Sequence, residues 1–251
     1  MIEIKNIQKS FGGVTVLNDI SFEFFTGKTN LVIGQSGSGK SVLAKCIVGL
    51  HNSDSGEVLY DGRDMQSGSN AERKAIRKEI GMLFQGSALF DSMTVEENVM
   101  FPLTMFTKMS KEEMLERANF CLKRVELHNT NKLYPAETSG GMQKRVAIAR
   151  AIAMNPRYLF CDEPNSGLDP KTAIVIDNLI QDITREYNIT TVVITHDMNS
   201  VLEIGENIMF LHQGLNAWQG DRQSIITTDA KAVTEFVYAS KFMKDYKTRM
   251  K

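Results

Sequence analysis

Apolar and polar positions alternate through the first part of the chain. Ile2, Ile4 and Ile7 open the pattern, Val14-Thr15-Val16-Leu17 continues it, and Ile20, Phe22 and Phe24 interleave with Ser21, Glu23 and Phe25. A period of two marks a half-buried strand, so residues 2–33 read as β structure with turns at Gly12-Gly13 and Thr26-Gly27-Lys28. Thr29-Asn30-Leu31-Val32-Ile33 closes this region as a β-type run, and Val42 to Val48 follows with helical character. A turn cluster at Asn52-Ser53-Asp54-Ser55-Gly56 leads into a short strand, Glu57-Val58-Leu59-Tyr60, which ends at a hairpin turn, Asp61-Gly62. Residues 70–78 make a polar helix with little apolar face, a solvated surface element.

Further on, apolar runs alternate with helix-period segments. Ile80-Gly81-Met82-Leu83-Phe84, Tyr158-Leu159-Phe160-Cys161 and Thr190-Thr191-Val192-Val193-Ile194-Thr195 have the pattern of buried, parallel-type strands. The segment 94–134 is helical throughout. Thr94-Val95-Glu96-Glu97 is a capping box, and Pro102 interrupts that helix or sits at a helix start. Ser110-Lys111-Glu112-Glu113 caps a second helix, with Met114, Leu115, Ala118, Cys121, Leu122 and Val125 at helical spacing. Ser139-Gly140-Gly141 opens a helix through Val146, Ile148, Ala149, Ala151, Ile152 and Ala153, and Asp169-Pro170 opens another carrying Ala173, Ile174, Ile176, Leu179, Ile180 and Ile183. Ile208 to Leu211 and Leu215 to Trp218 pair as a hairpin. Strands alternating with helices in this way predict an α/β fold with a parallel sheet.

The end of the chain, residues 229–251, is amphipathic. Val233, Phe236, Val237, Met243 and Tyr246 fall near one face, and Lys241, Lys244, Lys247, Arg249 and Lys251 make its end basic. Three roles fit: packing on its own domain, packing against a second copy or partner, and binding anionic lipid headgroups.

Composition narrows the function classes. The 251 residues are 42% hydrophobic and 24% charged, enough for a substantial core in one large domain or two small ones. A formal net charge of -1 gives no global signal for nucleic acid or an anionic membrane surface. No apolar run approaches the roughly 20 residues that span a bilayer, and the N-terminus has no signal-peptide pattern. Cys46, Cys121 and Cys161 are far apart and form no C-x-x-C, which suits buried reduced thiols in a cytosolic protein.

The chemistry centres on Gly34-Gln35-Ser36-Gly37-Ser38-Gly39-Lys40-Ser41, which matches G-x-x-x-x-G-K-[ST] between a strand and a helix. Backbone N–H groups of such a loop turn toward phosphate oxygens, Lys40 reaches the outer phosphates, and the Ser41 hydroxyl can sit on Mg²⁺. Gln85, Asp162 and Glu163, and His196 each end an apolar strand. Ligands of open α/β sheets sit beyond the carboxyl ends of strands, so these residues can approach the same phosphates. Asp162 is placed to orient a Mg²⁺ shell and Glu163 to act on a water. Ser139-Gly140-Gly141 at a helix N-terminus is a second anion site. Phe11, beside Gly12-Gly13, is either a core or turn aromatic or a stacking platform for a purine.

Taken together, these motifs resemble the ATP-binding subunit of an ABC transporter, up to about residue 220. Phe11, the phosphate loop, Gln85, Thr138 to Met142, Glu163 with Ser166-Gly167-Leu168-Asp169, and His196 occur in that family's order. The family's Leu-Ser-Gly-Gly-Gln stands here as Thr138-Ser139-Gly140-Gly141-Met142, which keeps the Ser-Gly-Gly core. The resemblance implies a phosphate-loop parallel-sheet core, an antiparallel β subdomain and a helical subdomain at about 88–155, within an ATPase domain of 1–222 and a helical extension of 223–251.

It also implies ATP and Mg²⁺ as cofactors, and a head-to-tail homodimer with ATP between the phosphate loop of one copy and Ser139-Gly140-Gly141 of the other. Phe11 would stack on adenine, Ser41, Gln85 and Asp162 would arrange Mg²⁺, and Lys40 and His196 would stabilise charge on the γ-phosphate. Asp169 would communicate across the dimer. An integral membrane permease would dock at the groove from Gln85 to Phe106, placing the chain on the cytoplasmic face of a bacterial inner membrane.

Local strings resemble more narrowly the ATPases of Mla-type phospholipid transporters, which work with a permease and an MCE lipid-binding protein. They are Gly86 to Val95, Asn98-Val99, Phe101-Pro102-Leu103, Tyr134-Pro135-Ala136-Glu137 and Gly141 to Arg145. The expected cargo is therefore phospholipid. The alternatives are a small-solute importer of amino acid or methionine type, whose added regulatory domain the short tail argues against, and a non-transport ABC protein.

Overall fold

The computed structural model describes residues 1–238 of the chain. The basic end of the tail, from Lys241 on, lies outside the described residues.

Two sheets form. Strands β1 (Ile2–Phe11), β2 (Val14–Phe24), β4 (Ser55–Tyr60) and β5 (Arg63–Asp64) make an antiparallel sheet in the order β2-β1-β4-β5. Strands β3 (Thr29–Ile33), β6 (Ile80–Leu83), β7 (Tyr158–Asp162), β8 (Thr190–Thr195), β9 (Asn207–His212) and β10 (Leu215–Gly220) make the other, in the order β10-β9-β3-β8-β7-β6. All but the edge strand β10 run parallel. Helices α1 (Lys40–Ile47), α2 (Asn70–Lys78), α3 (Val95–Phe106), α4 (Lys111–Arg124), α5 (Gly140–Ile152), α6 (Pro170–Glu186) and α7 (Met198–Ile204) connect them, and α8 (Ser224–Thr227) and α9 (Lys231–Val237) follow. The architecture is the α/β one expected: a parallel core, an antiparallel β layer and a helical region.

The parallel sheet divides two cores, which explains the nearly continuous apolar runs of its strands. Leu31, Ile33, Leu159, Cys161, Val193, Ile208 and Phe210 face α3 to α7. The residues between them, Val32, Tyr158, Phe160, Val192, Ile194, Met209 and Leu211, face α1 and the antiparallel sheet. The strands β3, β7, β8 and β9 therefore bury both faces, and no polar side chain fits at their centres without a partner. Fully burying one such aliphatic or aromatic side chain contributes about 1.5–3 kcal/mol.

Helix starts follow local chemistry. Thr94 and Glu97 form the capping box read from sequence, as do Ser110 and Glu113, and Ser69 with Glu72 forms a third that sequence reading passed over. Asp169 caps α6 by accepting from the Lys171 and Thr172 amides. Pro102 neither interrupts α3 nor starts a helix: it lies inside it. The ring removes one amide donor, yet Val95, Val99 and Leu103 carry a buried stripe across that position, and their packing holds the helix together. The turn cluster also gives its last two residues to β4, which begins at Ser55. The start of the tail packs inward, with Val233 and Val237 buried against the helical-side core.

Candidate functional site

Parallel pairing lines up the carboxyl ends of four strands. Ile33 stands opposite Thr195, Leu83 opposite Cys161, and Asp162 opposite Ile194. The residues just beyond therefore gather at one edge. Lys40, Ser41, Gln85, Glu163 and His196 line one cavity of about 400 Å³, together with Ser36, Gly37 and Gly39 of the loop.

The loop is shaped by close approach. Gly34 has φ 153°, and a Cβ there would stand 2.2 Å from the Leu211 carbonyl oxygen. Gly39, at φ 105°, is the N-cap of α1, and its Cβ would meet a Leu17 methyl at 2.9 Å. No other residue type fits either position. Lys40 is buried, and its Nζ donates to the Gly34 carbonyl at 2.8 Å and the Gln35 carbonyl at 2.9 Å. Burial pulls its pKa down, against the opposing pull of Glu163 and Asp162. Ser41 is exposed in the first turn of α1, where unpaired amides favour an anion.

Glu163 follows β7 in the left-handed region, φ 47°, with its amide donating to the Ile194 carbonyl at 2.9 Å. Its Oε1 lies 2.8 Å from His196 Nδ1. The carboxylate side chain is 14% exposed and the imidazole 65%, so the pair runs from the sheet edge out into the mouth of the cavity. Gln85 Nε2 donates to Ser166 Oγ at 3.4 Å, tying the two neighbouring strand ends together.

Asp162 is half-buried, and its Oδ1 has no hydrogen-bond partner. Burial raises its pKa, and the Glu163 charge raises it further against Lys45, Lys40 and Lys144. An orphaned carboxylate oxygen, a serine hydroxyl and an amide oxygen are hard donors. They suit Mg²⁺, which is held by one or two carboxylates with substrate phosphates and water completing its shell. Asp162, Ser41 and Gln85 therefore fit the metal expected from sequence.

Other expected site residues lie elsewhere within one copy. Ser139, Gly140 and Gly141 stand at the exposed start of α5, where Ser139 accepts from the Met142 amide at 3.3 Å. Ser139 and Gly141 line a separate cavity of about 460 Å³ with Arg145 and Thr172. Asp169 caps α6 and is tied to the Thr172 side chain, which with the backbone amides holds its carboxyl below the usual range. Phe11 sits at the tip of the β1–β2 hairpin and is 44% exposed, so it is no core residue. Its ring meets His51 edge-on at 5.6 Å and has the Lys9 ammonium 5.2 Å away.

Sequence reasoning missed two buried polar groups beside the site. Lys144 is 4% exposed on α5, and burial lowers its pKa. It occupies the inward stripe that continues at Ile148 and Ala151, and a lysine on that spacing was the available signal. Asp177 of α6 is 2% exposed beside Asn165 and Ser200, whose Nδ2 and Oγ bond at 2.9 Å. Nothing in the local sequence marks it.

Among known families, the ABC transporter model matches residues 17–166. The chain is similar to the methionine import ATP-binding protein MetN of Campylobacter jejuni, 38% identical over an alignment covering 100% of this chain and 80% of that protein. It is similar to the probable ribonucleotide transport ATP-binding protein mkl of Mycobacterium leprae, 36% identical, covering 94% and 68%. Among solved structures it is similar to the ATP-binding cassette MJ0796, a dimer in a post-hydrolysis state bound to ADP and Pi. That likeness has 35% identity and a TM-score of 0.80, over 88% of this chain and 99% of that one.

Proposed function

The chain belongs to the ABC transporter family of ATP-binding proteins and is an ATPase. From that premise we propose that it drives transport through a separate membrane permease, by hydrolysing ATP at two composite sites of a head-to-tail pair. The observation that carries this reading is the Glu163–His196 contact of 2.8 Å at the mouth of the phosphate-loop cavity.

Each residue has a role that follows from its position. The loop amides from Gly34 to Ser41 bind phosphates, with Gln35, Ser36, Gly37 and Ser38 giving the cradle its wall. Lys40, drawn into the loop, adds charge at the outer phosphate. Glu163 accepts a proton from the attacking water, and His196 orients that carboxylate and meets the γ-phosphate. Ser41, Gln85 and Asp162 would hold Mg²⁺, whose charge would offset that of the phosphates. Phe11 stacks on the base. Ser139, Gly140 and Gly141 face outward from the start of α5, as expected of a surface that closes the site of a second copy, with Asp169 at the same interface. Positioning and electrostatics then supply the acceleration. Glu163→Gln should bind ATP and pair while turnover falls at least about 100-fold; turnover at the wild-type rate refutes the assignment.

The permease surface is a groove of about 440 Å³ lined by Phe84, Phe90, Phe101, Pro102 and Phe106, with Arg77 and Arg150 also in its wall. Exposed aromatics flanked by cations suit an amphipathic helix from a partner. Among the described residues no helix is long and apolar enough to cross a membrane. That fits a subunit peripheral to the permease on the cytoplasmic face.

For the cargo, the name of the Campylobacter relative favours methionine-type small-solute import over phospholipid. The phospholipid reading keeps one support of its own: two of the strings that resemble the Mla-type ATPases line this groove, through Ala88, Phe90, Phe101 and Pro102, where a permease is distinguished. The membrane complex purified with the chain separates the two. An MCE-type lipid-binding subunit with bound phospholipid would establish the second reading, and methionine-stimulated ATP hydrolysis would establish the first.

A further inference from the structure

Three non-glycine residues around the catalytic cavity hold left-handed backbone: Ser87 at φ 61°, Ala88 at φ 47° and Glu163 at φ 47°. Such conformations are strained for a residue with a side chain and persist where the surroundings fix them. One helix contacts all three. Arg150 of α5 donates to the Ser87 carbonyl at 2.7 Å and the Ala88 carbonyl at 2.8 Å. Lys144, less than two turns earlier, donates to the Gln85 carbonyl and reaches the Glu163 carbonyl at 3.5 Å.

Lys144 is the unusual member. Its ammonium is buried and meets main-chain carbonyls where a paired carboxylate would be the ordinary solution for a buried charge. The neighbouring Asp162 and Glu163 carboxylates favour the charge, and a neutral side chain would leave the Gln85 carbonyl without its donor. The two carbonyls belong to Gln85 and Glu163, which follow adjacent strands and line the same cavity. The helix that carries the lysine begins at the exposed Ser139-Gly140-Gly141 surface, five residues or about 7 Å along the axis.

We propose that Lys144 is a positioning residue for ATP hydrolysis, holding Gln85 and Glu163 in register with α5, so that a shift of the Ser139-Gly140-Gly141 end on pairing is passed to Glu163. The inference rests on the roles of Glu163 and of pairing given above. The lysine itself does not line the phosphate-loop cavity; it sets where the carboxylate stands.

The test compares Lys144→Met, which keeps the volume and removes the donors, with Lys144→Arg, which keeps the charge. Both are measured beside Glu163→Gln in the assembly in which the wild-type chain turns over ATP. Lys144→Met is expected to bind a fluorescent ATP analogue as wild type does, with KM within about twofold and kcat down at least about tenfold, and Lys144→Arg to regain most of that loss. A Lys144→Met kcat within about threefold of wild type overturns the proposal. So does a loss shared by KM and thermal stability that Lys144→Arg does not recover, because that pattern is structural. If Glu163→Gln is silent while Lys144→Met runs as wild type, only the lysine proposal falls. If Glu163→Gln also runs as wild type, both fall.

Discussion

Replacing Asp177 by asparagine should stabilise the protein at neutral pH. The carboxylate is 2% exposed, and burial pushes its pKa up to about 6 from 3.8, against the hydrogen bonds of Ser200 and Asn165. The difference of 2.2 units (6 less 3.8), at 1.36 kcal/mol per unit, is about 3 kcal/mol. The sign follows from linkage. A carboxyl whose pKa is raised by folding is held protonated more tightly in the native state. Its penalty is absent below about pH 4, grows as pH rises toward 6, and is complete above it.

Asparagine has nearly the same shape and cannot ionise. It also brings donors to a place where the Oδ1 atoms of Asp177 and Asn165 both lack a partner. Chemical denaturation of wild type and Asp177→Asn across pH is the assay. The variant should be more stable by about 3 kcal/mol at pH 7.5, and the gap should narrow by most of that amount toward pH 4. A variant less stable than wild type at pH 7.5, or a gap that does not change with pH, refutes the reasoning.

Gly34→Ala should weaken nucleotide binding at least tenfold by fluorescent-nucleotide titration, since its Cβ would press on the Leu211 carbonyl at 2.2 Å; unchanged affinity would show that the loop can shift freely. Phe160→Ala, in the middle of β7 with no exposure, should cost about 3–5 kcal/mol in urea unfolding. A loss under about 1 kcal/mol would mean that the core between the two sheets collapses readily onto the gap.

What could be read from sequence tracks how local the physics is. The phosphate loop, the strands that deliver Gln85, Asp162, Glu163 and His196, and the caps at Thr94 and Ser110 depend on neighbours a few residues away. Pro102 was ambiguous because the packing that carries α3 across it comes from other elements. Lys144 and Asp177 were missed because burial makes them consequential, and burial is set by the whole fold. Phe11 could be called a core or turn aromatic or a platform; its exposure at the hairpin tip removes only the core role. That Ser139 and Gly141 line a cavity apart from that of the phosphate loop follows in advance only from the family resemblance; no spacing in the chain announces it.

The placing of Ser139 and Gly141 around a cavity separate from that of Lys40 and Glu163 has a genetic consequence. In a head-to-tail pair, a chain defective in Glu163 and a chain defective in Ser139 complement each other by halves. One composite site of the mixed pair inherits both lesions, and the other inherits neither. Cells carrying the two alleles together should recover part of the activity that each allele alone abolishes, whereas two alleles that both damage the Glu163 side should recover none.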